Sequence, residues 1–296
     1  MSASPWDGED QAASDGEQMI QINDVRLFDG ESVHDEATVV LDGERIVAVA
    51  HRSLLAPPGP GHQLVVGRGH TLLPGLIDAC AHVPGPTLSL GVTTELDMFP
   101  AELARASAAV DELPDRLPTT LVCSHVTDVG SVRTALAQQT EIIANLPVDE
   151  PLPEDLVERI TVQGAAVVPS LTRVELSARN PISTRATTTV QTRGGLHHAM
   201  RSTRMLHEAG VMVLAGSHGA SLHRELELLV LAGLSPVDAL SAATSVPADV
   251  FGLTDRGYVE AGRQADLVLV AGDPCTDITA TRMIKQVWRA GTQYVP

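Results

Sequence analysis

A chain of 296 residues with 44% hydrophobic residues and a mean hydropathy of +0.09 can bury a sizeable core, yet no apolar run approaches the roughly 20 residues that span a bilayer. Its 37 acidic residues against 20 basic ones, a formal charge of −17, exclude a nucleic-acid binder, because phosphates are neutralised by clustered Lys and Arg. Three scattered cysteines, Cys80, Cys123 and Cys275, read as reduced thiols rather than a disulfide framework.

Residues 1–17 carry Asp7, Glu9, Asp10, Asp15 and Glu17 with no Lys or Arg, and are expected to form a disordered acidic tail. They have neither the basic start nor the apolar stretch of a signal peptide, so a cytoplasmic location is expected. Residues 18–71 read as the first half of a β domain. Strands are predicted at 20–28 and 37–50, with turns at Asp29-Gly30 and Asp42-Gly43, and again around Leu64-Val65-Val66 after the loop Pro57-Pro58-Gly59-Pro60-Gly61.

From Leu72 the pattern changes to short buried strands alternating with amphipathic helices, the signature of parallel βα units, and residues 72–255 are assigned to a (β/α) barrel. Strands are predicted at 72–81, 91–97, 119–125, 141–145, 165–169 and 211–217. Helices are predicted at 101–112, 130–138, 153–163, 193–209, 221–232 and 236–244, the last opening with Ser235-Pro236. Residues 256–296 return to β structure, with strands through 265–270 and 284–288 around a Gly-Asp-Pro turn, and should complete the opening β domain. The fold expected is α/β: a TIM-like barrel of about six strands with a small β-sandwich built from both chain ends.

Four segments in order resemble the imidazolonepropionase-like and prolidase-like members of the amidohydrolase superfamily. They are Val25-Arg26-Leu27-Phe28-Asp29-Gly30 with Asp42-Gly43-Glu44-Arg45-Ile46, then Pro74-Gly75-Leu76-Ile77-Asp78-Ala79-Cys80-Ala81-His82 with Gly91-Val92-Thr93-Thr94. Leu214-Ala215-Gly216-Ser217-His218 with Leu222-His223-Arg224-Glu225-Leu226-Glu227 follows, and Gly257 through Val268 closes the set. The resemblance implies a divalent metal, usually zinc, at the C-terminal mouth of the strands, activating a water that attacks an amide-like or ester carbon. It implies ligands from a His-x-His pair on the first strand, a carboxylated lysine on the fourth, a histidine each on the fifth and sixth, and an aspartate on the eighth that is also general base.

This chain departs from that pattern. Cys80 stands at the first histidine and His82 at the second; His125 matches the fifth-strand histidine; Asn145 stands at the sixth-strand position and His218 at the aspartate. Lys285, the only lysine, falls in the terminal β segment, so a two-metal site bridged by lysine is excluded. Between Asp97 and Thr119 only about one helix fits where a βα unit needs about 20–30 residues, so the third and fourth strands are missing. Either the barrel is incomplete or a partner subunit closes it, and the exposed edges point to a homodimer.

Cys80, His82, His125 and His218 are all residues that zinc accepts. Four ligands would close the shell and make a structural site; with His218 free, three would leave a place for water and His218 could act as acid–base group. Glu95 and Asp97, at i and i+2 on the second strand, share a side, and Asp97 is a candidate catalytic partner of His218. His223 is a candidate for the mouth, whereas His197, His198 and His207 read as helix-surface residues.

The function expected is hydrolysis of a C–N bond (amide, lactam or amidine) or an ester in a small cyclic metabolite, with one zinc ion at most. The alternative is a member that has lost hydrolysis and serves as a binding or accessory protein, or as a metal-free cyclase or lyase of secondary metabolism.

Overall fold

The computed structural model describes residues 19–51, 61–81, 87–97, 105–106, 121–179 and 194–295, the side chains of Asp97, Arg105, Ala106 and Arg179 excepted. The acidic segment 1–17 and His82 therefore lie outside the described residues.

Both chain ends meet in one mixed sheet. From the N-terminal side come β1 (Ile20–Phe28), β2 (Val33–Asp42), β3 (Arg45–His51), β4 (Gln63–Val66) and β5 (His70–Pro74). Later elements, named below, carry the chain through the βα part before β12 (Leu267–Ala271), β13 (Ile284–Arg289) and β14 (Thr292–Tyr294) return to the sheet. The strand order is β14-β13-β12-β5-β1-β2-β3, with β4 parallel to the start of β1.

This is one continuous sheet where two sandwiched layers were expected. Bulges in β1 between Ile22 and Val25 and between Val25 and Leu27 bend it, and a bulge adds local twist. The sheet curls far enough for Ile46 N–H to donate to Arg263 O at 2.9 Å and Ala265 N–H to Glu44 O at 2.7 Å. Its concave side encloses Ile22, Val25, Leu27, Val39, Leu41, Ile46, Leu267 and the fully buried Trp288.

The predicted strand 72–81 is two strands. β5 pairs with β1 and β12 in the terminal sheet, and after Gly75 the chain enters β6 (Leu76–Asp78), the first strand of the βα part. A Cβ on Gly75 would collide with the Thr93 side chain on the strand that neighbours β6, so this junction admits only glycine.

β7 (Val92–Asp97) runs parallel to β6, and β8 (Arg105–Ala106) pairs antiparallel to the end of β7. The predicted helix 101–112 is corrected to that extent; its other residues lie outside the described ones. β9 (Cys123–His125), β10 (Ile142–Ala144) and β11 (Ala166–Val168) form a second parallel ladder, flanked in the chain by α1 (Val129–Ala137) and α2 (Glu154–Gln163).

Residues 211–217 join the two ladders without forming a full strand. Val213 bridges Val167, Leu214 N–H donates to Val167 O at 2.9 Å, and Ala79 N–H donates to Ala215 O at 2.9 Å. The arc thus reads β8, β7, β6, residues 211–217, β11, β10, β9. Among the described residues no ladder joins β7 or β8 to β9.

Side chains alternate between two buried faces along these strands, as expected when helices cover the outside. Ile143, Val167, Val213 and Ala215 pack outward with Leu156, Ile160, Leu206, Leu226 and Leu229 of the helices. Ile142, Ala144, Ala166, Val168 and Leu214 pack inward with Ile77, Cys80, Phe251 and Leu253. The helices end as their sequences direct. Asp128 and Ser131 form a capping box at α1, Gly164 closes α2 at φ +71°, and Ser221 caps α5 (Leu222–Ala232). Ser235 and Asp238 box the start of α6 (Pro236–Ser241). α4 (Gly195–Glu208) matches the predicted helix, whereas α3 (Leu171–Arg179), α7 (Ser245–Val250) and β14 were not predicted.

Candidate active site

The C-terminal ends of the parallel segments gather the chemistry. Cys80 follows β6, His125 ends β9, Asn145 follows β10, Ser170 follows β11, and His218 follows residues 211–217. Asn145 at φ +67°, Ser170 at +50° and His218 at +53° all adopt the left-handed conformation that non-glycine residues avoid. Each costs on the order of 1 kcal/mol or more, and such strain collects at functional mouths.

Cys80 and His218 meet directly, with Cys80 Sγ 3.6 Å from His218 Nδ1. Backbone contacts fix the pair, because His218 N–H donates to Cys80 O at 2.7 Å. Gly216 makes the approach possible, since a Cβ there would stand 2.7 Å from Cys80 Cβ and 2.5 Å from Val168 Cγ1. Cys80 is fully buried in the inner apolar cluster, and burial, reinforced by nearby Asp78, pushes its thiol far above the usual cysteine range. It is a protonated thiol at neutral pH, not a free nucleophile.

Asp78 ties the two strand ends together. Its Oδ1 accepts from Cys80 N–H at 3.1 Å and Ser217 N–H at 2.9 Å, and its Oδ2 accepts from the Ser217 hydroxyl. Burial raises its pKa, while the Ser217 and Cys80 donors oppose that. A second buried carboxylate, Glu225 of α5, accepts from Leu171 N–H at 2.8 Å, Thr172 N–H at 2.7 Å and the Thr172 hydroxyl, and so caps α3 from outside the helix. Burial moves Glu225 up to about 7, and the charge of Asp78 adds to the rise. The motif containing Asp78 was quoted from the sequence for its neighbours, and neither carboxylate was assigned a role.

His125 meets Asn145. Its Nδ1 accepts from Asn145 Nδ2 at 3.3 Å, and the buried Asn145 leaves its Oδ1 without a partner. With the amide turned over, Oδ1 would accept from Nδ1–H and leave Nε2 as a lone-pair donor, the usual support of a ligating histidine.

A catalytic zinc takes three protein ligands. Among the described residues no three His, Cys, Asp or Glu side chains converge as a metal-binding group, so these residues by themselves do not fit the ion. His82 lies outside the described residues, as does the side chain of Asp97. Glu95 is buried on β7. His223 is buried in α5 rather than lining the mouth, and burial, helped by the Arg282 charge and opposed by the Leu90 backbone, lowers its pKa to about 4.

An α/β arc with its polar groups at the strand ends, joined to a sheet made from both termini, defines a class that comparison makes specific. The profile of the amidohydrolase family matches residues 120–294, and the chain belongs to that family. An imidazolonepropionase from Deinococcus deserti is 34% identical over 101 residues, a match spanning 30% of this chain and 25% of that protein. Solved structures share the fold at low identity. A Xaa-Pro dipeptidase with bound methionine in its active site superposes with a TM-score of 0.76 at 16% identity, over 94% of this chain and 100% of the other. Ochratoxinase of A. niger gives 0.74 at 13% identity, over 94% and 96%. Molinate hydrolase gives 0.71 at 15%, over 94% and 95%. Among the described residues no helix is long and apolar enough to cross a membrane.

Proposed function

We propose that the chain hydrolyses a C–N bond, amide, lactam or amidine, or a related ester, in a small cyclic metabolite, at the mouth where Cys80 and His218 meet. The observation that carries this reading is the 3.6 Å contact between Cys80 Sγ and His218 Nδ1, at the first- and last-strand positions where the family keeps a ligand and its general base. Hydrolysis needs a group that takes a proton from the attacking water and returns one to the leaving nitrogen, and an imidazole does both near neutral pH. His218 has that role. Asp78 is a positioning residue: by holding Cys80 N–H and both donors of Ser217 it fixes the turn from which His218 projects.

The reading includes one metal ion at most, and no step above depends on it. A metal-free cyclase or lyase is the second reading. It draws support from the direct contact of the Cys80 thiol with the His218 imidazole.

The test is a panel of lactams, hydantoins, N-acyl amino acids and lactones, assayed with and without chelator beside metal analysis of the purified protein. Hydrolysis of at least one class is expected, falling about 100-fold or more in His218→Ala. Turnover unchanged in that variant removes His218 from the mechanism, and ring closure or elimination without water uptake selects the second reading.

A further inference from the structure

The curled terminal sheet is drawn shut at the start of β3, where Arg45 bridges Gln264, Ile46 N–H donates to Arg263 O at 2.9 Å and Gly262 N–H donates to Ile46 O at 2.7 Å. Towards the end of β3 the closing segment turns to a different partner, and Val259 N–H donates to Asp29 O at 2.9 Å. On the facing side the β1–β2 ladder carries one extra residue on β2 between the pairs Val25↔Ala37 and Leu27↔His34, with Glu36 in the left-handed conformation at φ +52°. A bulge of this kind bends its strand locally. Between β2, the end of β3 and residues 259–261 lies a groove of about 740 Å³, and none of its lining residues belongs to the mouth that holds Cys80 and His218. That volume is within the range of about 300–1,000 Å³ typical of small-molecule sites.

The floor of the groove is the core of the sheet laid open. Leu27, Ala37 and Val259 belong to the buried cluster, and Val49 packs against it. The rim is polar and of one sign. Asp29, Asp35 and Glu260 stand on it with His34 and His51, and among the described residues no Lys or Arg lines it. His34 Nε2 occupies Asp29 Oδ2 at 2.6 Å. Asp35 and Glu260 are exposed and have only outlying arginines for company, Arg26 at 3.7 Å and Arg263 at 3.2 Å, and Arg26 lies closer to Asp273 at 3.1 Å. Exposed ion pairs of this kind contribute little, so an incoming cation competes with them on equal terms.

We propose that this groove binds a small organic cation, a protonated amine carried on an alkyl or aryl body, at a site separate from the hydrolytic mouth. The apolar floor takes the body and the carboxylates at the rim take the charge. An anion would meet three carboxylates. Residues 1–17, with five acids and no Lys or Arg, are repelled for the same reason, and so is a second copy of a chain whose formal charge is −17.

The experiment titrates the full chain with 4-phenylbutylamine, 4-phenylbutanol and 4-phenylbutyrate by ligand-observed NMR. Wild type is expected to bind the amine about fivefold or more tighter than the alcohol, the scale of two exposed ion pairs, and the carboxylate weakest. The double variant Asp35→Asn, Glu260→Gln should bring amine and alcohol to within about twofold of each other. Ala261→Trp, a substitution at an exposed lining position, should fill the groove and weaken the amine by about tenfold or more while the melting temperature holds. Ala50→Trp plugs the groove from β3 and should do the same, which guards against a misfolded single variant. Equal affinity for amine and alcohol in wild type, or amine binding unchanged in both folded tryptophan variants, overturns the proposal. Light scattering that shows a dimer in wild type and a single chain in Ala261→Trp would make the groove an interface between copies, and overturns it as well.

Discussion

At the scale of single residues, Cys80 shows how one position carries two kinds of information. Its place in the motif marks it as facing the site, and the contact with His218 agrees. Its burial among Ile77, Ala144, Val168 and Leu214 makes it equally a core residue. A thiol whose pKa is driven far up by burial has almost no thiolate at pH 8, and thiolate is what alkylates. Iodoacetamide at pH 8 should therefore leave Cys80 unmodified for hours in the folded protein and label it once urea unfolds the chain. Peptide mass spectrometry reads this directly, and rapid labelling of the native protein would show Cys80 to be accessible and ionised. Asn145 and His218 were legible as departures from a family pattern. Their left-handed backbone was not, because φ at a non-glycine residue is imposed by the strand ends around it.

At the scale of elements, α3 is the instructive case. Ser170 stands just before it, a residue type that caps helices, yet the Ser170 hydroxyl is buried without a partner among the described residues, and Glu225, more than fifty residues away, supplies the carboxylate that accepts from the first N–H groups. A helix start held by a tertiary contact is not found by a search for local caps. The same carboxylate creates a pH dependence. Glu225 has an ordinary value of 4.5 and a folded value of about 7, so between these values the unfolded chain gives up its proton first. Its contribution to stability is full below about pH 4.5, declines as pH rises, and is gone above about pH 7. Glu225→Gln cannot titrate. The difference in unfolding free energy between wild type and this variant should thus fall by on the order of 2 kcal/mol from pH 5 to pH 8 in urea melts. A difference constant across that range would mean that Glu225 is ionised throughout.

At the scale of the whole molecule, the chain places its first and last strands in one curled sheet and suspends the βα arc between them. The small-domain assignment from sequence located these strands, although it divided them into two layers and began the barrel at Leu72 rather than beyond Gly75. Among the described residues the arc ends at β9, and the terminal sheet exposes Leu64 and Val66 on β4 and Tyr294 and Val295 at the other chain end, with Gln63 and Gln293 hydrogen-bonded to each other. Apolar side chains grouped on a sheet edge favour self-association. Light scattering is expected to give the mass of a dimer of the 31.2 kDa chain; the mass of one chain at micromolar concentration would remove that expectation.

The sequence by itself determined the family, the return of the last strands to the first, most helix limits and the positions of Cys80, His125 and His218 at strand ends. These follow from periodicity, caps and motif spacing, which are local properties of the chain. The tertiary structure alone decided that Cys80 touches His218 and that Asp78 and Glu225 spend their carboxylates on backbone N–H groups. Those outcomes depend on which side chains separated by fifty to a hundred and forty residues become neighbours, and on the desolvation each then suffers, neither of which is written in any one segment.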